Sequence, residues 1–169
     1  MKSKFVQYYV EGEDEEKLVN VLKTKLGVIK TGKVQKLNAV EREITDARIR
    51  TLSPGTMVVL IFDTDTGQLE ILDRNLKKLK ACSSVSEIVT IPQVPNLEGE
   101  LVRSCDIKNI TELLNSKSRG DFKSDIKHIS NLDSKLREHK FDINLFWARN
   151  PASPYQGIEN QAAKVKLLK

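Results

Sequence analysis

The sequence predicts an α/β fold: a central, mostly parallel sheet of about four strands, flanked by helices and followed by a helical C-terminal extension. Three observations carry this. Residues 57–63, MVVLIFD, form an unbroken apolar run of the kind covered on both faces in a parallel sheet. Strand-length apolar stretches alternate with segments whose leucines recur at helical spacing. The resulting order (strand, helix, helix, strand, helix, strand) fits parallel strands joined by crossovers.

Each element has its own signal. KFVQYYV, residues 4–10, alternates Val6, Tyr8 and Val10 and reads as a strand. The following segment, DEEKLVNVLKTKL, puts Leu18, Val21, Leu22 and Leu26 on one helical face, with Gly27 as a stop. Residues 28–37 are ambiguous and allow a short strand. Asn38 and Glu41 have capping-box spacing, and Val40, Ile44, Ala47 and Thr51 follow as a predicted helix. SPGT at 53–56 is a turn, and the apolar run 57–63 is the next strand. Leu69, Leu72, Leu76 and Leu79 then mark an amphipathic helix, and SEIVTIP at 86–92 a strand ended by Pro92 and Pro95. Residues 97–140 read as mostly helical, DINLFW at 142–147 as a further strand, and 150–169 as a turn-rich, weakly helical tail.

Bulk composition narrows the classes. A chain of 169 residues suits one domain with a proper core. No apolar run is long enough to cross a membrane, and the N-terminus turns acidic too early for a secretory signal. Cys82 and Cys105 follow no metal or redox spacing and fit a reducing, cytoplasmic setting. The net charge of +5 is mild evidence for an acidic partner such as nucleic acid, and six lysines without an acid run from Lys17 to Lys36. A solvated surface accounts for those lysines as well as a phosphate-binding face does.

The acids are placed less evenly. Five carboxylates occupy the six positions from Glu11 to Glu16. Acids in a first helical turn complement the macrodipole, which accounts for Asp14, Glu15 and Glu16. It does not account for Glu11 at the end of the first strand, nor for Asp63 and Asp65 at the end of the strongest strand. Ligands in parallel α/β sheets gather at the carboxyl ends of strands. If the two strands are neighbours, Glu11, Asp63 and Asp65 meet there, and Glu15 leans over the same spot from one helical turn away. Carboxylates so crowded need protons or a cation, and oxygen ligands favour Mg²⁺ or Mn²⁺.

VEGEDE after one strand and VVLIFDTDTG after another resemble the TOPRIM domain of topoisomerases, primases and related nucleases. Glu11 matches that family's strand-end glutamate, and Asp63 and Asp65 match its DxD. The resemblance covers residues 4–92 and implies a Rossmann-like TOPRIM fold, with 1–149 as a single domain whose helical extension spans 97–140. VEG-x-x-E is most similar to OLD-type and defence-associated TOPRIM nucleases, with Glu15 as their second glutamate. In that comparison Glu98, and less so Glu100, stands for a later acidic metal ligand; acids that simply start a helix are the other reading of both. Lys117, Arg119 and Lys123 stand for a downstream basic group.

The match has departures. Gly67 follows DTDT, so there is no DxDxE, and the ATPase half of OLD proteins is absent from this sequence. Gly27 to Val34 fits GxxxxGK but lacks the preceding strand and the Ser or Thr hydroxyl, so a nucleotide-hydrolysing P-loop is rejected. Phe141, Phe146 and Trp147 are expected in the core rather than as base-stacking platforms, and His128 and His139 on the surface.

The expected function is a metal-dependent nuclease acting on DNA or RNA phosphodiesters, in phage defence, repair or RNA processing. Glu11, Glu15, Asp63, Asp65 and Glu98 would hold the metal, and Lys33, Lys36, Arg119 and Lys123 the backbone. The alternative is a non-catalytic, metal-binding TOPRIM module that docks on nucleic acid, a separate ATPase or another subunit. A receiver-like signalling domain ranks last, because the late-strand lysine it needs is not evident.

Overall fold

The computed structural model describes residues 2–167. Four strands form one all-parallel sheet: β1 (Phe5–Val10), β2 (Lys33–Lys36), β3 (Thr56–Asp63) and β4 (Val85–Gln93), in the order β2-β1-β3-β4. Helices α1 (Glu13–Thr24), α2 (Asp46–Arg50) and α3 (Leu69–Lys80) carry the chain between them. The C-terminal part adds α4 (Leu97–Ser104), α5 (Thr111–Leu114), α6 (Arg119–His128), α7 (Leu132–Glu138) and a 3₁₀ turn at Ala162–Lys164.

The pleat of β1 and β3 divides the core into two layers. Tyr8 and Val10, with Met57, Val59 and Ile61, face Leu18 and Leu22 of α1 and the helices α4 to α7. Tyr9, with Val58, Leu60 and Phe62, faces Leu72 and Leu79 of α3. The whole of MVVLIF is therefore buried, as its lack of alternation requires. The sheet edges differ. β2 is short and carries Lys33 and Lys36, which discourage further pairing. The β4 edge is covered by the C-terminal segment: Gln161 N–H donates to Thr90 O at 2.9 Å, and Thr90 N–H donates back to Gln161 Oε1 at 3.0 Å.

The C-terminal segment from 150 onward also buries Tyr155, Ala162 and Val165; Leu168 and Lys169 lie outside the described residues. Among the described residues no helix is long and apolar enough to cross a membrane.

Three predicted elements are corrected. The helix from Asn38 is replaced by a turn and by the short α2, capped by Thr45. The cause is Asn75 of α3, fully buried: its Oδ1 accepts from Ile44 N–H at 2.8 Å, and its Nδ2 donates to Ala39 O and Arg42 O at 2.8 and 2.9 Å. That amide satisfies backbone groups which a helix would otherwise pair. DINLFW is not a strand. Asp142 Oδ1 accepts from Asn144 N–H at 2.8 Å, and Asp142 O accepts from Leu145 and Phe146 N–H at 3.1 Å, which folds the segment into turns. Pro92 does not end β4 but lies within it, tolerated because β4 is an edge strand.

Candidate metal centre at the carboxyl edge of the sheet

β1 is the point from which the chain steps to β2 on one side and to β3 and β4 on the other. Crevices at such reversals, beyond the carboxyl ends of the strands, are where open α/β sheets bind ligands. Glu11 directly follows β1, Asp63 ends β3, and Glu15 sits in the first turn of α1.

The structure brings these three together. One carboxylate oxygen from each of Glu11, Glu15 and Asp63 lies within 4.8 Å of the others. Asp63 N–H donates to Glu11 Oε1 at 3.1 Å, so the end of β3 orients the glutamate of β1. Glu15 is 4 % exposed, and its Oε2 accepts from Gly12 N–H at 3.2 Å. Gln93, the buried last residue of β4, donates from Nε2 to Asp63 Oδ1 at 2.8 Å.

Burial is the main influence on these acids, and mutual repulsion adds to it. The Glu15 carboxyl is pushed up to about 9 by desolvation, then by its hydrogen bond to Asp14 and the charges of Asp14 and Asp63. Asp63 is pushed up to about 9 by desolvation, then by the charge and hydrogen bond of Glu11; the Gln93 amide opposes this. Glu11 is also raised, by desolvation first, while its bonds to Asp63 pull the other way. At neutral pH such a group holds protons that a divalent cation would displace. The donor chemistry fits a hard ion: all ligands are carboxylate oxygens. Octahedral Mg²⁺ holds neighbouring oxygens about 3 Å apart and opposite ones about 4.2 Å apart, so the three carboxylates would draw closer around a bound ion.

The other predicted site residues are dispersed. Asp65 is exposed on the rim, where its Oδ2 accepts from Asn96 Nδ2 at 2.8 Å. It is outside the three-residue group, although its charge raises both Glu11 and Asp63. Glu98 is not brought in either. Its carboxylate is held by Arg119, through Nη2 and through Nε at 3.0 Å, with Lys123 Nζ at 3.8 Å. Arg119 and Lys123 are therefore partners of Glu98. Glu100 is a fully buried anchor that accepts from Val94 N–H at 3.0 Å, Arg103 Nη2 at 2.6 Å and Trp147 N–H at 2.8 Å.

The basic residues divide as well. Lys36 stands opposite Val10 at the site's edge, 3.5 Å from Glu13, whereas Lys33 stands opposite Gln7 at the other end of β2. Lys117 is exposed ahead of α6. Phe146 and Trp147 are buried, Phe141 is half-buried, His128 is exposed and His139 half-buried.

Gln93 and Glu41, whose charge also raises Glu11, were not anticipated from sequence. Gln93 had a signal, its place at the carboxyl end of a strand. Glu41 had none, because the loop that carries it was read as helix.

No protein-family model, curated protein or solved structure matches the chain. Fold and site together define a parallel α/β domain with an acidic triad able to bind a divalent cation.

Proposed function

We propose that the chain is a divalent-metal-dependent nuclease of the TOPRIM type, acting on phosphodiester bonds of DNA or RNA. The carrying observation is the meeting of Glu11, Glu15 and Asp63 at the reversal of strand order, with Glu11 and Asp63 lying 52 residues apart in the chain. In this reading those three carboxylates hold Mg²⁺ or Mn²⁺, and Asp65 serves from the rim. A bound ion there supplies a Lewis acid and a water of lowered pKa. The chain itself orients the carboxylates through Asp63 N–H, Gly12 N–H and the Gln93 amide.

A place for the polynucleotide supports the reading. A cleft of about 540 Å³ opens beside Asn96, the residue bonded to Asp65; it is lined by Arg149, by Arg119 with its partner Glu98, and by Arg103, which pairs with Glu100. Guanidinium groups suit phosphate oxygens, and a contact to phosphate carries no sequence information.

The second reading is a non-catalytic metal-binding module that docks on nucleic acid or on a protein subunit. One observation favours it: with Glu98 engaged by Arg119, the described residues offer one group of three acids and no second. Nicking of plasmid DNA and cleavage of structured RNA, with Mg²⁺ or Mn²⁺, separate the two. Loss of activity in both Glu11→Gln and Asp63→Asn supports the nuclease. Metal-dependent thermal stabilisation of the wild type without cleavage of either substrate supports the module.

A further inference from the structure

Trp147 is the only tryptophan of the chain, is 1 % exposed and has a left-handed backbone with φ of 54°. Bulky residues rarely adopt that region and need surroundings that hold them there. Every polar group of Trp147 is engaged. Its N–H donates to Glu100 Oε2 at 2.8 Å, its carbonyl accepts from Asn160 Nδ2 at 3.1 Å, and its indole Nε1 donates to Gln93 Oε1 at 3.1 Å.

The last bond decides the one after it. An indole N–H can only donate, so the Gln93 carbonyl oxygen must face Trp147 and its NH₂ must face the other way. The other way is Asp63, whose Oδ1 accepts from Gln93 Nε2 at 2.8 Å. With the amide turned over, indole and NH₂ would meet donor to donor in a buried place, a costly mismatch.

We infer that Trp147 and Gln93 are positioning residues for the acidic site: a one-way hydrogen-bond relay that fixes the plane of the Asp63 carboxylate. Its consequence for metal affinity rests on the metal reading above. Its existence does not. The relay also ties the site to the C-terminal segment, through Glu100 of α4 and Asn160 beyond it. Hydrogen-bonded supports of this kind typically govern metal affinity by 10- to 100-fold.

The single indole ¹H–¹⁵N resonance tests the relay in the full-length protein. Without metal, Asp63→Ala should shift that resonance, and in a Gln93→Met background the same substitution should leave it in place. With metal, Trp147→Phe should weaken Mn²⁺ binding about tenfold or more in calorimetry, and should add nothing further to Gln93→Met. If Gln93→Met fails to fold, the Gln93 side-chain NH₂ resonances of the otherwise native protein serve instead: Asp63→Ala and Trp147→Phe should each shift them, and indifference to either overturns the relay. An indole resonance indifferent to Asp63→Ala overturns the relay. So does folded Trp147→Phe protein binding Mn²⁺ as the wild type does, or additive losses in the double variant. A wild type that binds no Mn²⁺, yet transmits Asp63→Ala to the indole, keeps the relay and removes the metal reading instead.

Discussion

Glu11 and Asp63 stand 52 residues apart in the chain, yet the main-chain N–H of Asp63 donates to Glu11 Oε1 at 3.1 Å. Parallel pairing of β1 with β3 makes this possible, since both strands then end on the same edge. The bond gives the glutamate one orientation and holds it against the charge of a neighbouring carboxylate. A group assembled at that cost of repulsion is relieved by a cation.

Metal should therefore stabilise the protein. Mn²⁺ or Mg²⁺ at one hundred times its dissociation constant adds about 2.7 kcal/mol, or about 5–10 °C in Tm for a domain of this size. Glu15→Gln and Asp63→Asn should reduce that shift to near zero, as read by thermal melts with and without EDTA. A wild-type melt indifferent to both ions would remove the metal reading.

Without metal, stability should fall as pH rises. Glu15 and Asp63 have folded pKa values of about 9, above their ordinary 4.5 and 3.8. Between those limits the folded state binds more protons than the unfolded state. The stabilisation is thus complete below about pH 4 and lost progressively up to pH 9. Each retained proton contributes a slope of at most about 1.4 kcal/mol per pH unit. Urea unfolding in EDTA from pH 5 to 9 should show the decline, and Glu15→Gln should flatten it. Saturating Mg²⁺ should abolish or reverse it, because the ion takes the protons' place.

Glu98→Gln should separate the acids by role. Since Arg119 and Lys123 occupy its carboxylate, Mn²⁺ affinity should change by no more than about twofold, against at least tenfold for Glu11→Gln. The Arg119 side chain is two-thirds exposed, so the lost pairing should cost about 1 kcal/mol or less. Calorimetric titration of the two variants side by side checks both halves; a tenfold loss in Glu98→Gln would put that residue back among the ligands.

Gly67→Ala should disturb the rim. Gly67 has φ of 80°, and an added Cβ would lie 2.3 Å from Val40 Cγ2. The substitution should cost about 2 kcal/mol or more and displace the loop that carries Asp65. Chemical denaturation measures the first effect, and Mn²⁺ titration of the folded fraction the second.

Local signals reached different depths. Leu18, Val21 and Leu22 on α1, and Leu72 and Leu79 on α3, are buried as their spacing requires, because an amphipathic helix writes its inner face into a short repeat. The 38–51 segment misled for the opposite reason: its capping spacing is local, whereas Asn75, which unmakes the helix, lies 31 residues beyond Ile44. Within the site, Glu11, Glu15 and Asp63 were legible as acids at a strand end or an adjoining first turn. Glu98 enters only through the family resemblance, and Arg119, 21 residues downstream, shows its carboxylate to be taken.

By itself the sequence determined the alternation of strands and helices, the fully covered β3 and the acids at two strand ends, because period and burial are properties of neighbouring residues. Tertiary structure decided which strands adjoin, which carboxylates converge and which are neutralised by arginine. It also decided that Gln93 and Trp147 stand behind Asp63. Those outcomes depend on contacts between distant segments, whose partners no local pattern names.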